Sequence, residues 1–184
     1  MAYGSRGSIG HVCPSIPLDM ILNECDRMVP EDIMMVYSSL HVQQLRQEDF
    51  DRAISMLDEA VGFMVDGAAD CIIVGGGPVV AAIGSDQGVV DRTLELSGKP
   101  SISTTGAMIT ALDSFKAKKI AVATPYTDER NALLQTYLER QGFEVVGMGG
   151  LGIQRAAQIA RLPFDVPYEH AVAVAKSAPD ADAM

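Results

Sequence analysis

The sequence has no tryptophan, few aromatic residues (5%) and no apolar run near the roughly eighteen residues that span a bilayer. Its three cysteines, Cys13, Cys25 and Cys71, lack metal-type spacing, and an odd count gives no disulfide framework, which fits a reducing, cytoplasmic setting. His11, His41 and His170 are far apart and none stands in a ligand pattern such as H-E-x-x-H. No G-x-S-x-G nucleophile elbow occurs. The N-terminal Met-Ala-Tyr-Gly-Ser-Arg-Gly-Ser lacks the apolar stretch of a signal peptide. Basic residues are also scarce: 14 Lys and Arg against 24 Asp and Glu leave a net charge of −10. That balance argues against nucleic acid and anionic membranes as partners. An anion site in such a chain must rely on local backbone N–H groups at tight turns and helix N-termini.

What the sequence does have is a repeat. Ser8-Ile-Gly-His-Val-Cys-Pro-Ser15 and Lys119-Ile-Ala-Val-Ala-Thr-Pro-Tyr126 are both apolar strand patterns ending in proline and a polar residue, 111 positions apart. The first copy leads through a long amphipathic stretch to Ala69-Asp70-Cys71-Ile72-Ile73-Val74 and three glycines; the second reaches Ala181-Asp182-Ala183-Met184. In that register the counterpart of Gly75 falls just past Met184.

Strands are predicted at Ile9–Cys13 (closed by Pro14 and Pro17), Ile33–Tyr37, Cys71–Val74, Ile120–Ala123 and Glu144–Val146. Helices are predicted from about Leu18 to Met28, as one element from Asp49 to Asp66 stopped by Gly67, near Gly88–Ser97, over Ala107–Phe115, and from an N-cap at Thr127 to Gly142. Alternation of strands and helices argues for α/β architecture with parallel sheets and ligands at the carboxyl ends of strands. Those ends are Pro14-Ser15, Gly75-Gly76-Gly77, Thr104-Thr105 and Thr124-Pro125-Tyr126. The expected lobes are 1–115, with helix 107–115 a candidate to cross over, and 116–184.

Each candidate residue has a plain structural alternative. Gly75, Gly76 and Gly77 either leave N–H groups free for an oxyanion or form a tight turn that packing requires. They are not a dinucleotide fingerprint, because the residue three beyond Gly77 is Val80. Tyr126, before a helix N-terminus, either donates to a bound anion or covers the sheet edge. Cys13 near a strand end is a minor candidate thiol if partial exposure beside free amides lowers its pKa; Cys25 and Cys71 read as core. His11 alternates with Ile9 and Cys13 on one strand face, so it either approaches the site or is a satisfied structural histidine.

Taken together, the strings Ser-Ile-Gly-His-Val-Cys-Pro, Gly-Ala-Ala-Asp-Cys-Ile-Ile-Val-Gly-Gly-Gly, Lys-Ile-Ala-Val-Ala-Thr-Pro-Tyr-Thr-Asp-Glu-Arg-Asn and Ala-Pro-Asp-Ala-Asp-Ala resemble the aspartate/glutamate racemase superfamily. The branch they resemble most is that of arylmalonate decarboxylases and maleate cis-trans isomerases. The resemblance implies two flavodoxin-like lobes in pseudo-twofold arrangement, the second incomplete at its C-terminus, with the active site in the cleft between them and no cofactor or metal. It implies a small dicarboxylate substrate, an oxyanion site at Gly75, Gly76, Gly77 and Tyr126, and substrate contacts at Pro14, Ser15, Thr124 and Pro125. Racemases and isomerases of the superfamily carry a cysteine in each lobe; here the first position is Gly75, which favours the decarboxylase-like branch. The remaining cysteine is expected just beyond Met184. An isomerase would need Cys13 to act in place of Gly75. A non-catalytic carboxylate-binding fragment is a further expectation, as is a homo-oligomer that covers exposed apolar surface.

Overall fold

The computed structural model describes residues 4–15, 19–77 and 86–184. Strands are β1 (Gly7–Cys13), β2 (Ile33–Ser39), β3 (Cys71–Val74), β4 (Ser101–Ser103), β5 (Lys119–Thr124) and β6 (Glu144–Gly150). Helices are α1 (Asp19–Met28), α2 (Gln47–Ser55), α3 (Leu57–Asp66), α4 (Asp86–Ser97), α5 (Thr104–Ser114), α6 (Asp128–Arg140), α7 (Ala156–Ile159) and α8 (Asp165–Ser177). Pro17 and Leu18, expected to close the first strand and open the first helix, lie outside the described residues. Two compact units result, one holding Met1–Gln43 and Gln47–Gly106, the other Gln44–Arg46 and Ala107–Met184. Most of α5 therefore belongs to the second unit.

In the first unit the parallel sheet runs β2-β1-β3-β4. The chain passes from β1 to β2 on one side and then crosses back over β1 to β3 on the other, so the carboxyl ends of β1 and β3 form the topological switch point at which such sheets hold ligands. Val12, Ile72 and Val74 of the central strands are buried with Phe50, Ala53, Leu57, Val61 and Met64 of α2 and α3. Arg92 of α4 grips Asp58 of α3 with two hydrogen bonds, Nε to Oδ1 at 3.1 Å and Nη2 to Oδ2 at 2.5 Å.

The single helix expected over 49–66 is two. Its apolar stripe continues unbroken, but the backbone turns tighter at Met56, whose N–H donates to Ala53 O at 3.1 Å, while the Ser55 hydroxyl bonds Arg52 O at 2.6 Å. A hydroxyl that competes for a helical carbonyl favours such a break. The N-cap expected at Thr127 is found at that position. Thr127 has the extended backbone of an N-cap but its side chain makes no capping hydrogen bond.

In the second unit β5 and β6 pair in parallel, and Ala183 bridges the other edge of β5 at Ile120. Strand β6 carries glycine where neighbours come closest. A Cβ on Gly149 would lie 3.1 Å from the His170 ring of α8 and closer still to Val174. Ala121, Val174 and Ala178 form the buried centre of this packing.

The sequence repeat is reproduced in the hydrogen bonds. Ser8 N–H donates to Asp70 Oδ2 at 2.8 Å, and Asp70 N–H donates back to Ser8 O at 2.9 Å. Lys119 N–H donates to Asp182 Oδ2 at 2.8 Å, and Asp182 N–H donates back to Lys119 O at 2.7 Å. In each unit an aspartate thus clamps the start of the first strand to the segment that pairs beside it. Bonds from the Lys119 and Lys118 N–H groups hold the Asp182 carboxyl below the usual carboxylate range.

Candidate active site

The switch point of the first unit brings together His11, Pro14 and Gly75. Parallel register sets His11 beside Ile73, and the two-residue period of a strand places Gly75 on the same side as Ile73. The imidazole extends along the strand until its Nε2 lies 3.0 Å from where a Gly75 Cβ would sit; Pro14 Cδ lies 3.2 Å from the same point. Gly75 thus stands at a close approach: a side chain there asks the histidine or the proline to give by a few tenths of an ångström.

The three glycines are not equivalent. Gly75 N–H donates to Val12 O at 2.8 Å, continuing the ladder between β1 and β3. Its N–H is thereby engaged within the sheet. The N–H groups of Gly76 and Gly77 have no hydrogen-bond partner among the described residues. Gly76 has φ +101°, a conformation that L side chains rarely adopt and that turns the chain sharply out of β3. Gly77 follows with Thr105 Oγ1 3.4 Å from its Cβ position.

Pro14 and Ser15 follow β1 and are half-buried. Pro14 O accepts from Val42 N–H at 2.8 Å, which ties the proline to the segment after β2. Cys13 is fully buried, with relative exposure 0%. Burial, with Cys25 nearby, pushes its thiol up to about 12, the opposite of activation. At this burial water does not stabilise a thiolate.

His11 is the histidine of the group. Its Nδ1 is buried without a partner, and burial lowers its pKa from the ordinary 6.5. Tyr37, opposite His11 in the β1–β2 register, stacks at a tilt with ring centroids 5.9 Å apart, and its hydroxyl is likewise buried without a partner. The folded state therefore favours neutral imidazole, while the unfolded chain binds the proton more readily. Stability contributed by neutral His11 is complete above the unfolded value of 6.5 and declines as pH falls below it towards the lowered folded pKa. A His11→Met variant is expected to show a flatter loss of stability on the acid side of 6.5 than wild type. Urea midpoints between neutral and mildly acidic pH measure the difference; parallel curves for the two proteins would contradict it.

In the second unit, Thr124, Pro125 and Tyr126 end β5. Thr124 is buried; its hydroxyl donates to Asn131 Oδ1 at 2.6 Å and accepts from Tyr126 N–H at 3.1 Å. The Thr124 hydroxyl is thus engaged internally and fixes the turn that carries Tyr126. Pro125 O and Tyr126 O accept from Ile153 N–H at 2.9 Å and Gly152 N–H at 3.0 Å, so this turn is held on both sides. Burial raises the Tyr126 phenol to about 12, keeping it a neutral donor across the physiological range. Among the described residues no group of His, Cys, Asp and Glu is arranged to hold a metal ion, and no helix is long and apolar enough to cross a membrane.

A parallel sheet in the order β2-β1-β3-β4, with a switch point between β1 and β3, defines a flavodoxin-like α/β protein. Comparison narrows the class. The family model described as arylmalonate decarboxylase matches residues 10–184, and the chain belongs to that family. It is 26% identical over 188 aligned positions to an arylmalonate decarboxylase from Bordetella bronchiseptica, covering 100% of this chain and 77% of that one. It is 25% identical over 166 positions to a maleate isomerase from Pseudomonas putida, covering 83% and 66%. The chain thus spans about three quarters and two thirds of these relatives. Among solved structures, a cysteine-to-serine variant of the Nocardia farcinica maleate cis-trans isomerase, with a covalently bound succinylcysteine intermediate, superposes with TM-score 0.83 at 19% identity, covering 91% of this chain and 72% of that one.

Proposed function

We propose that the protein is a cofactor-independent decarboxylase of small malonate-type dicarboxylic acids, working through an enediolate. Gly75 carries this reading. An isomerase or racemase that works with an acid/base side chain in each lobe needs one after β3; Gly75 has none, and the space is taken by His11 and Pro14. Cys13 is the alternative thiol for an isomerase, and its burial and raised pKa of about 12 count against that role.

Decarboxylation asks for something this chain has. One carboxylate of the substrate is held by main-chain donors, for which Gly76 and Gly77 are proposed, while the carbon–carbon bond to the other carboxyl breaks and its electron pair moves into the retained carboxylate. The resulting enediolate takes a proton at carbon from solvent water, giving a monocarboxylate, with carbon dioxide and hydroxide (together bicarbonate) as the other products. Donors aimed at the oxygens on which charge accumulates stabilise this transition state more than the ground state. Tyr126 is proposed as a neutral donor to the same kind of developing charge, with Thr124 and Asn131 fixing its position. Pro14, Ser15 and Pro125 are proposed to border the substrate.

Incubation of the purified native protein with phenylmalonate tests the reading. Stoichiometric carbon dioxide and phenylacetate support it. Saturable binding of phenylmalonate by calorimetry without turnover would instead mark a carboxylate-binding protein on the same fold.

A further inference from the structure

The switch point holds one polar group to which the proposed chemistry assigns no part. His11 Nε2 stands 3.0 Å from the Cβ position of Gly75, the residue immediately before Gly76 and Gly77. It has no hydrogen-bond partner among the described residues, and neither do the N–H groups of those two glycines. Nδ1, the opposite end of the ring, is buried without a partner. The ring is confined between the Tyr37 ring of β2, 5.9 Å away, and the Gly75–Pro14 corner. A buried polar ring usually finds a hydrogen-bond partner, and leaving one unpaired carries a penalty. Three unengaged polar groups within a short stretch of one strand end, with no protein acceptor supplied, together define a seat for an anion.

We propose that His11 is a substrate-binding residue, its Nε2–H donating a hydrogen bond to the carboxylate held at Gly76 and Gly77. This rests on the carboxylate-site reading above and adds a side-chain donor to it. Neutral imidazole suits the task. The proposal places the ring hydrogen on Nε2, the end facing the strand terminus, and burial favours the neutral ring. The donor is also particular about shape. Because the imidazole occupies the Cβ space of residue 75, the carboxylate must approach past Gly75 from the side of Gly76, which orients its plane. His11 thereby selects for a carboxylate with one oxygen free to accept from the side, and against a neutral amide turned with its NH2 toward the ring.

The test is calorimetric titration of wild type, His11→Met and His11→Gln with phenylmalonate, together with imidazole 15N spectra of wild type with and without ligand. Glutamine keeps an N–H donor at about the reach of Nε2, whereas methionine fills similar space without one. The expected result is saturable wild-type binding, at least about tenfold weaker binding by His11→Met, and recovery of most of that loss in His11→Gln, as for a hydrogen bond to a charged group. The His11 Nε2 resonance moves on adding ligand. Unchanged affinity in both variants with a stationary His11 resonance overturns the proposal and leaves the carboxylate site standing. Absence of wild-type binding removes the carboxylate site, and this contact with it. If His11→Met does not fold, the wild-type spectrum decides alone.

Discussion

A Gly150→Ala variant is expected to lose about 3 kcal/mol of stability, at the upper end of what overpacking usually costs. The added methyl has nowhere to go. It would overlap the Tyr126 carbonyl oxygen and the Asn131 amide, both under normal contact distance of the Cβ position. Neither neighbour can withdraw cheaply, because Tyr126 O accepts from Gly152 N–H at 3.0 Å and Asn131 Oδ1 accepts from Thr124 at 2.6 Å. The urea midpoint should fall with an unchanged m-value if native packing alone is affected. Because the same clash displaces the turn bearing Tyr126, any activity should fall with it. A midpoint within experimental error of wild type would show that the β5–β6 end is looser than described.

The second large effect concerns Tyr126 itself. Tyr126→Phe is expected to lower kcat for phenylmalonate decarboxylation by about a hundredfold or more, the effect of removing one oxyanion donor, or about 3 kcal/mol. Stability should change little, because the anchors of this turn are Thr124, Asn131 and main-chain bonds rather than the phenol. With a phenol pKa near 12, the contribution of Tyr126 should be constant from mildly acidic to mildly basic pH, so the ratio of wild-type to variant rates should not vary across that range. Equal rates for the two proteins would place Tyr126 outside the reaction. A fall in stability comparable to the fall in rate would make it a structural residue.

Much of the framework is legible in the sequence because it is written twice. The strand-Pro pattern at Ser8–Ser15 and Lys119–Tyr126 marks the first strand of each unit, and the aspartates Asp70 and Asp182 perform the same clamp on both. The continuous apolar run Cys71–Val74 identifies a central parallel strand, with Ile72 and Val74 buried and Cys71 and Ile73 partly covered. Other features depend on three-dimensional detail that spacing does not carry. The break at Met56 leaves the apolar stripe intact, so periodicity gives no sign of it. Helices α7 and α8 are short or alanine-rich, with little contrast between faces. Alanine at Ala171, Ala173 and Ala175 blurs the stripe that Val174 and Ala178 bury.

At the site, sequence position marks the region but not the duties of its members. Three glycines in a row look alike until the ladder is drawn, when Gly75 turns out to spend its N–H on Val12. Cys13 sits near a strand end, where exposure would activate it; the fold buries it completely. His11 is visible only as one of three alternating residues on β1. Its relation to Gly75 requires the β1–β3 register, and register is a long-range property.

The most direct measurement of the central claim is to follow phenylmalonate and maleate separately by proton NMR in the presence of the native protein. The account predicts conversion of phenylmalonate to phenylacetate with release of one equivalent of carbon dioxide, while maleate is left unchanged. Conversion of maleate to fumarate with phenylmalonate untouched would contradict it, and would mean that an acid/base group other than one at residue 75 serves the first unit.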